Sequence, residues 1–451
     1  MRSASFAAWA LSACLSACVN LDSNSARSAG AWVHDSGEGT GPTVLVFAGG
    51  RRDQAMPRLA ARQVAGWRPI KGRLVVASIS AEEVPSGFES FVEELDPDWV
   101  LELREDFYYA RPGMETLGGS VLHGGGDGDA QLAERVCAAV NGELEEESRF
   151  RALRRSEELS ISEGAVMSLV TSARKNPTPT MDYPKSARIR RQRQLTHAFL
   201  CELGMLPSDM SPDIGLVGAE PEALHFAVYD GEGAGRPLPF ITDLQNGVPG
   251  AIGYPLSPSE IAAGALDGFD AVLFPGGMAS HQFDALGAAG RAEVTKFVSA
   301  GGGYIGICAG AYMAASDPYQ WGLNLLDARI VDHEHWARGI GPVELELSDS
   351  GRAVLGDFVG RRVLHYGQGP IVEPAERADL SDYEVLGWYR SGIGENGADP
   401  NVMVDTPAIL CAPFGEGRVL VSSGHVEWSA GLESFLPRYL VWVCGRTTEG
   451  L

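Results

Sequence analysis

The stretch Gly302-Gly303-Tyr304-Ile305-Gly306-Ile307-Cys308-Ala309-Gly310-Ala311-Tyr312 decides the fold of the second half of this 451-residue chain. An apolar run leads into Gly-x-Cys-x-Gly and continues as a small-residue segment that suits a helix. Gly306 and Gly310 remove Cβ atoms that would clash in a tight turn between a strand and a helix. The pattern predicts that Cys308 is strained and exposed beside a helix N-terminus. Backbone N–H groups there favour a thiolate and can stabilise an oxyanion.

Two residues far downstream supply the other parts of a triad. His425 and Glu427 follow a predicted strand at positions i and i+2, so their side chains are expected to leave the same face. We predict Cys308 as the nucleophile, His425 as the proton shuttle and Glu427 as the orienting carboxylate. The predicted oxyanion hole consists of backbone N–H groups at Gly276, Gly277 and Ala309. The alternative is a buried cysteine and a strand-end histidine that have no catalytic role.

Apolar runs alternate with amphipathic segments in two regions, which predicts two α/β domains at 43–205 and 222–446. The predicted strands are 43–48, 73–79, 99–103, 225–229, 269–274, 325–331, 343–347, 408–412 and 419–422. The predicted helices are 56–67, 131–140, 187–203, 289–300 and 428–442. A linker is expected at 207–221. In the second domain the order implies a mostly parallel sheet whose ligand cleft lies at the carboxyl ends of the strands.

The first residues have the composition of an export signal. Met1 and Arg2 precede an apolar stretch, 4–17, that is too short to span a bilayer. Leu-Ser-Ala-Cys occurs twice, ending at Cys14 and Cys18, and resembles the bacterial lipobox. We predict a lipoprotein signal at 1–18, lipidation of Cys18 and a polar linker at 19–42. Processing at Cys14 and a plain cleaved signal are the alternatives.

Charge and cysteine content exclude several classes of function. The net charge of −23 disfavours nucleic-acid binding and adsorption to anionic lipid, since both need basic surfaces. Seven cysteines show no CxxC pair and no metal-ligand spacing, so we expect neither a cofactor nor a metal. The expected partner is a small-molecule or peptide substrate. Membrane contact is expected only through the lipid anchor, on the periplasmic side of the cell envelope.

The second half resembles the class I glutamine amidotransferase-like superfamily, and within it the biotin-protein ligase N-terminal-like family. The motifs that carry the resemblance are Val228-Tyr229-Asp230-Gly231, Leu273-Phe274-Pro275-Gly276-Gly277, Gly306–Tyr312, His365-Tyr366-Gly367-Gln368-Gly369-Pro370 and Gly424-His425-Val426-Glu427. The resemblance implies a flavodoxin-like sheet and a cysteine nucleophile. A synthetase domain, a biotin ligase catalytic domain and a Gly-Arg-Gly-Arg-type nucleotide loop are not found in the sequence, so biotinylation is not implied.

Several polar and aromatic residues are candidates for substrate recognition. We predict substrate contacts from Tyr366, Gln368 and Arg338, the last through a substrate carboxylate. Further candidates are Trp336, Trp388, Tyr389 and Arg390. The run Asp332-His333-Glu334-His335 has residue types that could hold a metal. The interpretation that we favour places these side chains at the rim of the cleft or in solvent.

The first domain resembles, in order and spacing, the zinc carboxypeptidase-like fold of the succinylglutamate desuccinylase and aspartoacylase family. The resemblance rests on Val44–Gly50, Gly72–Val76, Pro97–Asp106 and Thr180–Pro184. The family's Gly-x-His-x-x-Glu motif is replaced by Arg51-Arg52-Asp53-Gln54, its Leu-His-Glu by Leu103-Arg104-Glu105, and its general base by Asp182. Arginine cannot ligate zinc. The domain is therefore predicted to bind an anion through Arg52 and Arg104 or to be a structural remnant.

Together these features predict an exported protein whose second domain hydrolyses an amide, peptide or ester of a small substrate through Cys308. The alternative is a non-catalytic envelope protein that binds ligands in degenerate enzyme domains. A thiol-reactive probe would separate the two hypotheses, because only the hydrolase is expected to show selective, pH-dependent labelling of Cys308.

Overall fold

The computed structural model describes residues 31–37, 39–49, 55–79, 88–106, 119–124, 126–142, 144, 149–154, 167–172, 185–212, 223–235, 237–316 and 321–447. Cys14, Cys18, the run 51–54 and Asp182 lie outside the described residues. The predictions of a signal, of lipidation and of Arg52 as an anion ligand therefore stay predictions. Among the helices of the described ranges, none has the length and apolar character needed to cross a membrane.

The chain divides into two compact units. The N-terminal unit comprises residues 1–181 and 191–210, and the C-terminal unit comprises 182–190 and 211–451. Each contains a large sheet with helices, which confirms the predicted class of two α/β domains. The last boundary, after residue 210, falls within the predicted linker 207–221.

The N-terminal unit is built on a seven-stranded sheet in the order β1-β3-β2-β4-β7-β5-β6. Its strands are β1 Ala31–Asp35, β2 Thr43–Gly49, β3 Arg73–Ile79, β4 Trp99–Asp106, β5 Ser120–His123, β6 Arg151–Arg154 and β7 Met167–Ser172. Its helices are α1 Ala55–Val64, α2 Phe88–Leu95, α3 Asp127–Asn141 and residues 191–202 of α4 Lys185–Glu202. The linker prediction is wrong for β1, which pairs antiparallel with β3. Val33 in β1 packs on the core of this unit, and burial of its side chain favours the ordered strand.

The C-terminal unit contains a nine-stranded sheet in the order β14-β13-β16-β17-β18-β11-β10-β8-β9. Its strands are β8 Leu224–Tyr229, β9 Ala251–Leu256, β10 Ala271–Phe274, β11 Gly303–Ile307, β12 Ala328–Ile330, β13 Ile340–Leu347, β14 Arg361–Gly367, β15 Val372–Pro374, β16 Glu384–Tyr389, β17 Pro407–Phe414 and β18 Gly417–Ser422. Its helices are α5 Pro237–Gly247, α6 Pro258–Ala262, α7 Ala279–Ser299, α8 Ala309–Ala314, α9 Asp349–Leu355 and α10 Phe435–Val443. β12 and β15 form a separate antiparallel pair.

Five parallel strands form one half of this sheet. The four antiparallel strands β14, β13, β16 and β17 continue it and are called the antiparallel extension. Strands β9, β8, β10, β11 and β18 are parallel and follow the flavodoxin-like order 2-1-3-4-5. Strands β8, β10 and β11 are buried along their whole length, as expected where both faces of a parallel sheet are covered. The chain leaves β10, β11 and β18 at Pro275, Cys308 and Ser423, so their carboxyl ends bring the predicted site together.

The predicted helix 428–442 is wrong over its first half. Residues Val426–Trp428 form one 3₁₀ turn, and the α-helix begins only at Phe435. Gly431 between them has a φ of +83°, a left-handed conformation that interrupts a helix. The apolar spacing continued through this turn, which is why the sequence pattern predicted a single helix.

Candidate active site

Cys308 occupies the turn between β11 and α8. Its φ of +50° and ψ of −96° lie outside the regions that non-glycine residues prefer, a conformation that costs about 1–3 kcal/mol. A Cβ on Gly306 would lie 2.5 Å from the carbonyl oxygen of Gly310, and one on Gly310 would lie 2.3 Å from that of Phe274. The strained elbow expected from the two glycines is therefore present.

The expected exposure of Cys308 is wrong, because the residue is only 5% exposed. Its Sγ donates to the carbonyl oxygen of Gly367 at 3.4 Å, and its backbone N–H donates to that of Ser422 at 2.9 Å. Strands β14 and β18 therefore enclose the elbow. Low exposure shields a reactive sulfur and any acyl group on it from bulk water.

The imidazole of His425 is hydrogen-bonded to Glu427 and lies close enough to Cys308 for that side chain to influence its pKa. The distance from His425 Nδ1 to Glu427 Oε1 is 2.7 Å, and both side chains are almost completely buried. Burial acts to lower the pKa of His425, but the neighbouring Cys308 and Glu427 outweigh burial and raise the pKa to about 9. The same neighbours therefore favour the imidazolium that forms when His425 takes the proton of Cys308.

The sequence spacing predicted the neighbourhood of His425 and Glu427 but not the backbone that joins them. Strand β18 ends at Ser422, and Glu427 belongs to the 3₁₀ turn that follows. His425 caps that turn, and its N–H donates to the carbonyl oxygen of His365 at 2.8 Å. A turn, rather than the alternation of a strand, brings the two side chains together.

Glycines on two sides leave room for the imidazole. A Cβ on Gly276 would lie 2.6 Å from His425 Cε1, and one on Gly367 would lie 2.8 Å from His425 Nε2. Contacts this short do not occur, so both positions require glycine while the ring stays in place. A Cβ on Gly276 would also lie 3.5 Å from Cys308 Cβ, so the turn after β10 lies directly beside the thiol.

The backbone N–H groups of Gly277 and Ala309 donate to no acceptor within the described part of the chain. Gly277 has a φ of +142°, and Ala309 is the first residue of α8 after Cys308. Gln282, from helix α7, holds the turn by donating to the carbonyl oxygens of Pro275 at 2.9 Å and Gly233 at 3.1 Å. No sequence pattern pointed to this role of Gln282.

Trp428 is a second residue that sequence reasoning missed. Its indole stacks on the imidazole of His425, with ring centroids 4.1 Å apart and planes inclined by 8°. The ring of His365 packs edge-on against the same indole at 5.5 Å. One indole face thus covers the imidazole while Trp428 stays 65% exposed. A tryptophan over a protonated imidazole gives a favourable cation–π contact.

Two of the three predicted substrate contacts are not available to a substrate in this structure. Tyr366 is fully buried, and its hydroxyl donates to the carbonyl oxygen of Gly369 at 2.8 Å. Arg338 is also buried, and its Nη2 donates to Asp332 Oδ2 at 3.0 Å. Tyr366 lies in β14 of the antiparallel extension and Arg338 lies just before β13, and the sequence did not reveal the burial of either side chain. Gln368 is half-buried, with a φ of +67°, and its carbonyl oxygen accepts from the Tyr312 hydroxyl at 3.3 Å.

The run Asp332–His335 forms an ion-pair network. Asp332 Oδ1 lies 2.7 Å from His335 Nδ1. Burial acts to raise the pKa of Asp332, but His335 and Arg338 outweigh burial and lower that pKa. No cluster of metal-ligating side chains is found in the described ranges.

The remaining candidates lie outside the triad. Trp336 is exposed and Trp388 half-buried. Tyr389 is buried, with its hydroxyl donating to Ser423 Oγ at 2.8 Å. Arg390 forms ion pairs with Glu346 and Asp405. Tyr389 and Arg390 thus have structural partners. In the N-terminal unit, Arg104 is half-buried and its carbonyl oxygen accepts from Gln192 at 3.0 Å.

Comparison with known proteins gives one family match. The profile of the family described as biotin-protein ligase, N terminal, matches residues 268–326, which include β10, α7, β11 and the elbow. This segment is shared with the resemblance drawn from the sequence, but it is a minor part of the chain. A comparison with curated proteins gave no match.

Several solved structures are distantly similar. A protein from Thermoplasma acidophilum described as a putative GMP synthase component has 13% identity and a TM-score of 0.36, covering 49% of this chain and 94% of that chain. PurLQS from Thermotoga maritima has 14% identity and a TM-score of 0.33, covering 49% and 97%. Tripeptide-bound cell shape determinant Csd4 from Helicobacter pylori has 12% identity and a TM-score of 0.31, covering 40% and 58%.

Proposed function

We propose that the C-terminal unit is a cysteine hydrolase that cleaves an amide, peptide or ester of a small substrate. The observation that carries the proposal is the buried group of Cys308, His425 and Glu427, in which Glu427 is hydrogen-bonded to His425 and Gly276 lies directly beside both the imidazole and the Cys308 Cβ. The strained cysteine and the unpaired backbone N–H groups beside it, within the described residues, are the other parts that acyl transfer requires. The family match at 268–326 is consistent with this hypothesis.

These three residues support a two-step reaction. Transfer of the Cys308 proton to His425 gives a thiolate, which attacks the substrate carbonyl carbon and forms a C–S bond. The carbonyl oxygen becomes an oxyanion that accepts from the N–H groups of Gly277 and Ala309. The C–N or C–O bond then breaks, and the protonated His425 gives its proton to the leaving amine or alcohol.

Water completes the cycle. Neutral His425 takes a proton from water, whose oxygen attacks the thioester carbon. The C–S bond breaks, the acid leaves and the proton on His425 restores the Cys308–His425 pair. Glu427 holds the ring through Nδ1 and stabilises the imidazolium in both steps.

The test is selective alkylation of Cys308 by iodoacetamide, read by mass spectrometry at each cysteine. Burial raises the pKa of Cys137 and of Cys411 to about 12, so these two thiols are internal unreactive controls. We expect Cys308 to react first, and His425→Ala to slow that reaction at neutral pH. Equal, slow labelling of all three cysteines, unaffected by His425→Ala, would support the non-catalytic binding protein instead.

We also propose that the protein is exported and anchored to the cell envelope through Cys18. The twice-repeated Leu-Ser-Ala-Cys at the end of an apolar stretch supports this proposal. Cys18→Ser should move the protein from the membrane fraction to the soluble fraction, and Cys14→Ser should not. The opposite pattern would assign the lipidation to Cys14. Both variants staying with the membrane would contradict the anchor.

A further inference from the structure

One face of the antiparallel extension is apolar where it meets the triad. Along β13 and β14 buried and exposed residues alternate, so Val343, Leu345, Leu364 and Tyr366 point into the core. The opposite face carries Ile340, Pro342 and Val363. Ile340 is 60% exposed and Val363 is 59% exposed.

The pairing register places this face on the same side as His425. Ile340 pairs with Gly367 and Pro342 pairs with His365. Directly opposite residues of an antiparallel pair project from the same face. The Cβ direction of Gly367 points at the His425 ring, so the side chain of Ile340 lies on the imidazole's side of the sheet.

Trp428 continues the same surface. Its indole covers His425 and contacts the ring of His365, which is the neighbour of Val363 two positions along the same face of β14. We call Ile340, Pro342, Val363 and Trp428 the apolar strip. It extends from the exposed face of β14 to His425, the histidine beside the proposed nucleophile.

The charged groups on the same face, which begin at Glu344 directly opposite Val363, are paired with each other. Glu344 accepts from Arg361 at 2.6 Å, and Glu346 accepts from Arg390 at 2.6 Å. Neither carboxylate needs a charged partner from a substrate. The strip therefore offers apolar contact next to the thiol, a surface that suits neither a free amino acid nor a small polar amide.

The geometry points to a substrate that carries a large apolar group, aromatic or branched aliphatic, next to the carbonyl that Cys308 attacks. This inference rests on the proposed function and adds the substrate class. We expect that apolar group to occupy the strip. The strip runs from β14 to His425 and ends at Gly367, whose carbonyl oxygen accepts from the Cys308 thiol, so a group on the strip lies next to the sulfur. Burial of the group would orient the carbonyl and hold it at the sulfur.

The experiment compares two alkylating probes on the full chain. Iodoacetamide and N-benzyl iodoacetamide share a reactive group, and their rates at Cys308 are each divided by their rates with free N-acetylcysteine. We expect this rate ratio to be about tenfold larger for N-benzyl iodoacetamide than for iodoacetamide. Burial of an apolar group of this size on the protein strengthens binding by about that factor.

Two variants and one matched control locate the effect. Ile340→Ser and Val363→Ser should each lower the preference for the benzyl probe at least about threefold. Val359→Ser removes another exposed valine, from the loop before β14 and outside the strip, and should leave the preference unchanged. Thermal unfolding of each variant checks that the fold is retained.

The outcomes separate this inference from the proposed function. Selective labelling of Cys308 by iodoacetamide with no benzyl preference would overturn the apolar substrate class and leave the hydrolase proposal standing. Failure of both probes at Cys308 would remove the hydrolase proposal and the inference with it. Self-association that disappears in Val363→Ser would also overturn the inference, because the strip would then be an interface between two copies of the chain.

Discussion

At the scale of single residues, the protonation of His425 sets the pH range of the proposed reaction. Burial acts to lower its pKa, and the neighbouring Cys308 and Glu427 raise it to about 9. Because the pKa is raised, the acid form persists through neutral pH and is lost as pH rises through about 9. Amide hydrolysis needs that proton for the leaving amine, so we expect its rate to fall above about pH 9.

An activated ester is the control, since its leaving group departs without a proton and its hydrolysis should not share the alkaline fall. Glu427→Gln removes a group that raises the pKa of His425, so the alkaline limit should move to lower pH and the maximal rate should drop about 100-fold. Parallel pH profiles for amide and ester would rule out His425 as the proton donor.

The space around the imidazole gives a second prediction for a single residue. A Cβ at Gly276 would meet His425 Cε1 at 2.6 Å, so Gly276→Ala must displace the ring. We expect alkylation of Cys308 to slow about 100-fold at neutral pH, because a small misplacement of the base breaks the contact that forms the thiolate. Gly341→Ala is the matched control, since its Cβ would meet only Ile393 at an ordinary 3.5 Å. An unchanged rate in Gly276→Ala would show that the thiol's reactivity does not depend on the ring position.

At the scale of elements, helix α7 fixes the turn after β10 through Gln282. Replacing Gln282 with Leu leaves the buried carbonyl oxygen of Pro275 without this donor, which costs about 1–3 kcal/mol, while that of Gly233 still accepts from the Met278 N–H. The turn that carries Gly277 should loosen, so kcat for an ester should fall while KM changes little. Gln245→Leu is the control, because its side chain accepts from Gly253 in β9 and does not touch the turn. A KM effect alone would show that Gln282 positions substrate instead of the oxyanion donors.

The elements that the sequence predicted well are those with a continuous apolar pattern. β11 and the elbow follow from Gly303–Ile307 and two glycines whose Cβ atoms have no room, as the contacts at Gly306 and Gly310 confirm. β14 and β16 were missed because their alternating exposed residues, including Arg361 and Arg362, look like a loop. Their pairing with β13 is non-local, and no local pattern encodes it.

At the scale of the site, sequence spacing placed His425 near Glu427 but could not provide the turn that joins them. Nor could it reveal that Trp428 lies flat on the imidazole, since this depends on the 3₁₀ turn after β18. The assignments of Tyr366 and Arg338 failed for a related reason. Both residue types suit substrate binding, and only the fold shows that they are buried. Residue type therefore predicted the reacting groups, and the tertiary arrangement decided which neighbours face the cleft.

At the scale of the whole molecule, each unit has a hydrophobic core of its own. Residues such as Leu45 and Val75 form the core of the N-terminal unit, whereas Ile305 and Leu420 belong to that of the C-terminal unit. Separate cores favour separate cooperative transitions, so calorimetry of the full chain should resolve two. Attaching a carbamidomethyl group to Cys308 with iodoacetamide overpacks only the C-terminal core and should lower that transition by a few degrees, from a cost of about 1–3 kcal/mol. Cys308→Ser treated with the same reagent should show no shift. A single transition that moves as a whole would mean that the two units unfold as one cooperative structure.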